Sequence, residues 1–224
     1  MPAPTIIPER LEIVRGIIPA VSNHPAPAVD CDTPRGCEME LISWTTGLPW
    51  ADSLECVSSP IGAFLRAYND SVDDDARAKM HAHVLDNLER ILATGGDGQD
   101  EARGWLAADW QVRHATPTWL ELAGINDAAA ALRALPPVID LATLQGAQPA
   151  LTAASTEAAA AWDAARDAAW DAAVEAPDGE KYDATYAATK TMLAPTVLSL
   201  QESAHELLTR MIDPSSATQE AGER

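Results

Sequence analysis

Three things are scarce in this chain: it holds one phenylalanine, three cysteines, and only 15 basic side chains against 34 acidic ones in 224 residues. The resulting formal charge of -19 repels phosphate backbones and anionic headgroups, which argues against direct binding to nucleic acid or to a membrane surface. No stretch approaches the roughly 18 consecutive apolar residues of a spanning helix. Pro4, Pro8, Glu9, Arg10, Glu12 and Arg15 interrupt the opening segment, so no secretory leader is expected. With so few cysteines and no leader, the thiols are expected to be reduced and the protein cytoplasmic.

What is abundant is alanine. The apolar fraction of 47% suffices for a core, but alanine adds little buried area, so the seven tryptophans are expected to carry an unusual share of the packing.

The pattern along the chain predicts a mainly α fold: a compact multi-helix bundle over 37–147, extended by a long Ala-rich helical hairpin over 148–213. An irregular N-terminal arm (1–36) and a disordered tail (214–224) complete the division. Within the arm, Leu11 to Pro19 reads as a short extended segment. A first short helix carries Met39, Leu41, Ile42 and Trp44 and stops at Gly47. Ser59-Pro60 reads as an N-cap and first-turn proline for a helix over 60–71. Asp73 to Asp75 open a helix that ends at Thr94-Gly95-Gly96, and another spans 100–114. Thr116-Pro117 repeats the cap signal, Asn126 caps a further helix, and Pro136-Pro137 ends it. Gly95-Gly96-Asp97-Gly98 lacks the lysine of a phosphate loop and reads as a flexible connection.

From about residue 150 the sequence becomes a near-repeat of Ala, Trp and Asp, a strong helix former. Asp163, Asp167 and Asp171 fall at four-residue steps and form an acidic rail on one face. Pro177-Asp178-Gly179 breaks the hairpin, and Pro195 is expected to kink its second arm.

Chemistry concentrates between Gly36 and Pro60. Cys37 follows Arg35-Gly36 at a helix start, where amide donors and the helix dipole favour a thiolate. A cysteine nucleophile also needs a base; His24 and His114 are the candidates, with Glu40 as an orienting acid. His24, Cys31, Cys37 and Cys56 supply zinc-ligand types at spacings that match no paired-ligand knuckle. A Cys37–Cys56 bridge is the third option, and reduced core cysteines are the commonest use of such residues. His81 and His83, two apart on a helix, diverge by about 200° and cannot share a metal.

The blocks Cys37-Glu38-Met39-Glu40, Gly47-Leu48-Pro49-Trp50-Ala51-Asp52, Cys56-Val57-Ser58-Ser59-Pro60, Ala107-Ala108-Asp109-Trp110-Gln111-Val112-Arg113 and Thr116-Pro117-Thr118-Trp119-Leu120 resemble a family of uncharacterised Ala/Trp/Asp-rich helical proteins of actinobacteria and actinobacteriophages. The Ala-Trp-Asp repeat and Leu193-Ala194-Pro195-Thr196-Val197 extend the likeness over most of 37–213. The resemblance implies an actinobacterial or phage origin and a cytoplasmic helical protein, and it implies no activity.

The expected function is therefore a non-enzymatic interaction protein that engages a protein partner or a second copy of itself through its acidic faces, Asp163, Asp167 and Asp171 foremost. Its sharpest form is an accessory or anti-defence protein that mimics nucleic acid. The alternative is a small cysteine-dependent enzyme or zinc protein centred on Cys37, and apolar ligand binding among the Trp-bearing helices is a third class.

Overall fold

A computed structural model describes residues 4–21, 25–26, 33–174 and 180–214, without the side chains at 162, 164–190 and 192. The described elements are helical, in the order α1 (Pro8–Val14), α2 (Glu38–Thr45), α3 (Ser59–Ser71), α4 (Asp74–Asp86), α5 (Leu88–Leu92), α6 (Asp100–Trp110), a π-turn (Gln111–Ala115), α7 (Thr116–Leu122), α8 (Asn126–Arg133), α9 (Leu141–Val174) and α10 (Glu180–Ile212). The mainly α expectation holds. No described helix is long and apolar enough to cross a membrane.

The chain divides into two compact units, Met1–Gly104 with Leu208–Arg224, and Trp105–Leu207. The division falls inside α6 and α10, away from the boundaries expected at residues 37 and 148. Composition marks where alanine begins; it does not mark which side chains share a core.

Several local readings change. The arm is not irregular throughout: Pro8 fixes the first turn of α1 with Glu9 beside it, and Val14 is fully buried. The extended segment expected over 11–19 is therefore helical up to Val14. The helix expected from Asp73 to Thr94 is two, α4 and α5, separated at Asn87, whose side chain donates to the His83 carbonyl at 2.9 Å. Asp73 caps α4 as expected, accepting from the Ala76 amide.

Ser59 and Asn126 are not caps but the first helical residues of α3 and α8, which follow Ser58 and Ile125; Thr116 is not a cap either. Its backbone is helical (φ -60, ψ -50), and its amide bonds to the Gln111 carbonyl five residues back. Pro117 contributes no amide, and the π-turn carries the path from α6 into α7 without a stop. The long helix also starts earlier than expected, at Leu141. Asp140 accepts from the Thr143 amide at 2.7 Å while the Thr143 hydroxyl accepts from the Asp140 amide at 3.1 Å, a reciprocal cap that the alanine pattern does not advertise. Pro149 and Pro195 both lie inside helices. The break expected at Pro177-Asp178-Gly179 and the tail beyond Pro214 lie outside the described residues.

Helix ends obey local chemistry. Gly47 (φ 70) follows α2, with Gly47 N bonded to Trp44 O and Leu48 N to Ser43 O, so a left-handed residue closes the last turn. Gly124 (φ 77) repeats the arrangement after α7.

The core of the first unit is aliphatic: Met39, Leu41, Ile42, Ile61, Leu65 and Ile91 are at most 1% exposed. In the second, Leu120 and Leu132 meet Ala128, Ala129 and Ala154. Among the described side chains, tryptophan does not fill either core as expected. Trp44, Trp50, Trp105 and Trp110 are half-buried and Trp119 is exposed; the side chains of Trp162 and Trp170 are outside the description. An indole N–H needs a partner, and half-burial supplies one: Trp110 Nε1 donates to Ser203 Oγ at 3.1 Å.

Candidate functional site

Cys37 is the N-cap of α2 and has no exposed surface. Its amide donates to Glu40 Oε2 at 2.7 Å, so Glu40, itself buried, serves as the returning half of a capping box. Both residues expected to drive nucleophilic chemistry are thus occupied in starting a helix, and a thiol without accessible area cannot meet a substrate. His24 lies outside the described residues. His114 is exposed on the π-turn of the second unit, where its carbonyl accepts from Thr118 Oγ1 at 2.7 Å.

No disulfide joins Cys37 to Cys56. Cys56 is half-buried, and burial pushes its thiol pKa up, which keeps it neutral. Its carbonyl accepts from the Gly95 amide at 3.0 Å. A Cβ on Gly95 would stand 2.1 Å from the Glu55 carbonyl oxygen, so this glycine is a point of backbone contact within an anchored connection. Of the four expected zinc ligands, His24 and Cys31 lie outside the description. Among the described residues no three His, Cys, Asp or Glu side chains converge as a metal site.

The strongest polar feature of the first unit was not anticipated. His81 Nδ1 lies 2.9 and 3.0 Å from the two Glu38 oxygens, and Nε2 lies 2.9 Å from the Val14 carbonyl; Glu38 and His81 are each 3% exposed. Both ring nitrogens face oxygen atoms of Glu38 and Val14, an arrangement that favours the ring protonated on both. Burial pulls its pKa down, but the hydrogen bond and charge of Glu38, with the Val14 carbonyl, outweigh that, and the net shift is upward. This pair ties α1, α2 and α4 together. The only hint in the sequence is a histidine among Met80, Val84 and Leu85 on the buried stripe. His83 points elsewhere, to Thr209 Oγ1 at 3.1 Å, as its two-residue offset requires.

Eight of the described arginines, buried or exposed, are engaged within the chain. Arg103 is fully buried, paired bidentately with Asp97 and donating to the Met211 carbonyl at 2.7 Å. Arg10 stacks 4.9 Å from the Trp44 ring centre and donates to the Trp44 carbonyl. Arg66 donates to the Asp52 carbonyl, Arg77 to the Asn69 and Val72 carbonyls, and Arg90 to Asn87 Oδ1. Arg15, Arg113 and Arg133 pair with Asp86, Asp109 and Glu121. Asp109 also accepts from the Val138 amide at 2.8 Å.

The acids are different. Asp70, Asp75, Glu89, Glu101, Asp127 and Glu157 are exposed. Of the expected rail, α9 runs through all three positions and Asp163 is exposed, while the side chains of Asp167 and Asp171 are outside the description. Large apolar side chains also reach solvent in the second unit: Trp119, Ile139, Leu141 and Leu198 are 44 to 63% exposed. No family model matches this chain, and no curated protein or solved structure is significantly similar to it.

Proposed function

We propose that this chain is a non-enzymatic acidic interaction protein that binds a basic protein surface, in the sharpest case one that otherwise holds nucleic acid, in an accessory or anti-defence role of phage type. The observation that carries this reading is the orientation of charge. Eight arginines are committed to carbonyls, carboxylates or an aromatic ring of the chain itself, while many carboxylates face water. A net charge of -19 presented this way gives a strongly negative surface field, which attracts cationic partners and accelerates their encounter. The burial of Cys37 and the capping role of Glu40 weaken the motive for a cysteine enzyme.

The test is affinity capture with the tagged full chain in salt of about 0.1 M and about 1 M, where the screening length falls from roughly 10 Å to roughly 3 Å. Basic partners held at low salt and released at high salt are expected. Such a partner should leave DNA when the chain is added and return to it when Asp163, Asp167 and Asp171 are replaced by Asn. A chain that captures nothing, or whose partners ignore salt, would overturn the reading.

A further inference from the structure

The segment between α2 and α3, together with Pro4, lines a half-open cavity of about 500 Å³ within the first unit. Leu48, Pro49, Ala51 and Leu54 supply apolar wall, and Glu55 and Cys56 line it as well. The volume lies inside the range of small-molecule pockets, about 300–1,000 Å³, and equals roughly one turn of helix, too little to seat a helical partner.

The walls are held in place before any ligand arrives. Leu48 N donates to Ser43 O at 3.0 Å, Arg66 Nη1 to the Asp52 carbonyl at 2.7 Å, and Gly95 N to the Cys56 carbonyl at 3.0 Å. These bonds fix the segment at its start, middle and end to α2, α3 and the α5–α6 connection. A preformed pocket spares the ordering cost of binding.

We propose that this cavity binds an amphipathic cation, a small molecule with an alkyl or aryl body and an ammonium group. The apolar walls select the body. Charge complementarity selects the head: Glu55 is the acidic residue of the lining, it is exposed, and no ion pair among the described residues engages it. The lining offers no cation for an anionic ligand, and the Cys56 thiol is kept neutral by burial. The charge of the whole chain acts in the same direction at longer range. This inference stands apart from the proposed protein partner; either can fail alone.

Three probes of matched chain length separate the terms: octylammonium, octanol and octanoate, titrated against the full chain by calorimetry. Octylammonium is expected to bind about fivefold tighter than octanol, the size of an exposed charge pair, with octanoate weakest. Glu55→Gln should erase the ammonium preference and leave octanol unchanged, whereas Glu157→Gln, which is absent from the lining, should preserve the series. Ala51→Trp should fill the cavity and abolish binding of all three. Should that variant fail to fold, the wild-type chain still decides the matter: octylammonium should slow modification of Cys56 by N-ethylmaleimide, followed by peptide mass mapping. Equal affinity for the three probes, an ammonium preference that survives Glu55→Gln, or an unprotected Cys56 would each overturn the proposal.

Discussion

The two compact units solve the problem of a core in different ways. The first buries long aliphatic side chains and, among them, the Glu38–His81 pair and the guanidinium of Arg103, whose partner Asp97 is exposed. The second buries more alanine: one cluster joins Leu120 and Leu132 to Ala128, Ala129 and Ala154, and Ala115, Ala147 and Ala204 are buried as well, beside Val112, Val138 and Leu207. Each alanine removes little apolar area from water, whereas each leucine or isoleucine contributes about 1.5–3 kcal/mol when fully buried. Both units bury charge, the second at Asp109 paired with Arg113, and the first sets it among the larger aliphatic side chains. The second relies more on alanine's helix propensity and on caps such as Asp140 with Thr143.

The largest expected effect lies in the first unit. Glu38→Ala strands a buried imidazolium against the Val14 carbonyl and should cost about 3–5 kcal/mol in urea unfolding, the scale for removing one partner of a buried pair. A cost below about 1 kcal/mol, the level of an exposed pair, would mean that water reaches the site and that the contrast between the units is overstated.

A smaller effect tests the second unit. Ala129 is fully buried in the cluster with Leu120, Leu132 and Ala154 of α9. Ala129→Leu should destabilise by about 1–3 kcal/mol through overpacking, with hydrogen exchange quickening in α8 and the start of α9. A stabilised variant would show slack in the packing around Ala129.

The mildest test is a pH series. His81 has a folded pKa above its ordinary value of about 6.5, so its contribution is full below that pH and is lost as pH rises through the raised value. Asp97 has its pKa lowered, chiefly by the hydrogen bond from Arg103, so its contribution is present above about pH 4 and is lost as pH falls through the depressed value. Stability of the first unit should decline at both ends. Glu38→Gln should remove the alkaline decline and leave the acid one; an alkaline decline that persists in this variant would assign it to another group.

Much of the fold was legible because helix signals are local. Asp73 before α4, Pro60 in the first turn of α3, and Gly47 and Gly124 after α2 and α7 act through backbone conformation and nearby amides, within reach of a few residues. The start of α9 was missed because Asp140 and Thr143 form their cap ten residues before the alanine repeat becomes visible. The split at Asn87 and the π-turn were missed because periodicity continues smoothly across both.

The candidate site was less legible. Cys37 was correctly placed at a helix start, but its burial depends on residues far away in the chain, and Glu40 turned out to cap that helix. The partners of His81 lie 43 and 67 positions away.

The sequence by itself determined the helical class, the cap at Asp73, most helix stops, and the excess of acid, because propensity, local hydrogen bonding and net charge need no distant partner. Tertiary structure alone decided that His81 meets Glu38 and the Val14 carbonyl, that eight arginines find partners within the chain, that the tryptophans whose side chains are described stay outside the cores, and that the segment after α2 lines a cavity. Those outcomes depend on which groups are removed from water together, and that is a property of packing between residues far apart in the chain.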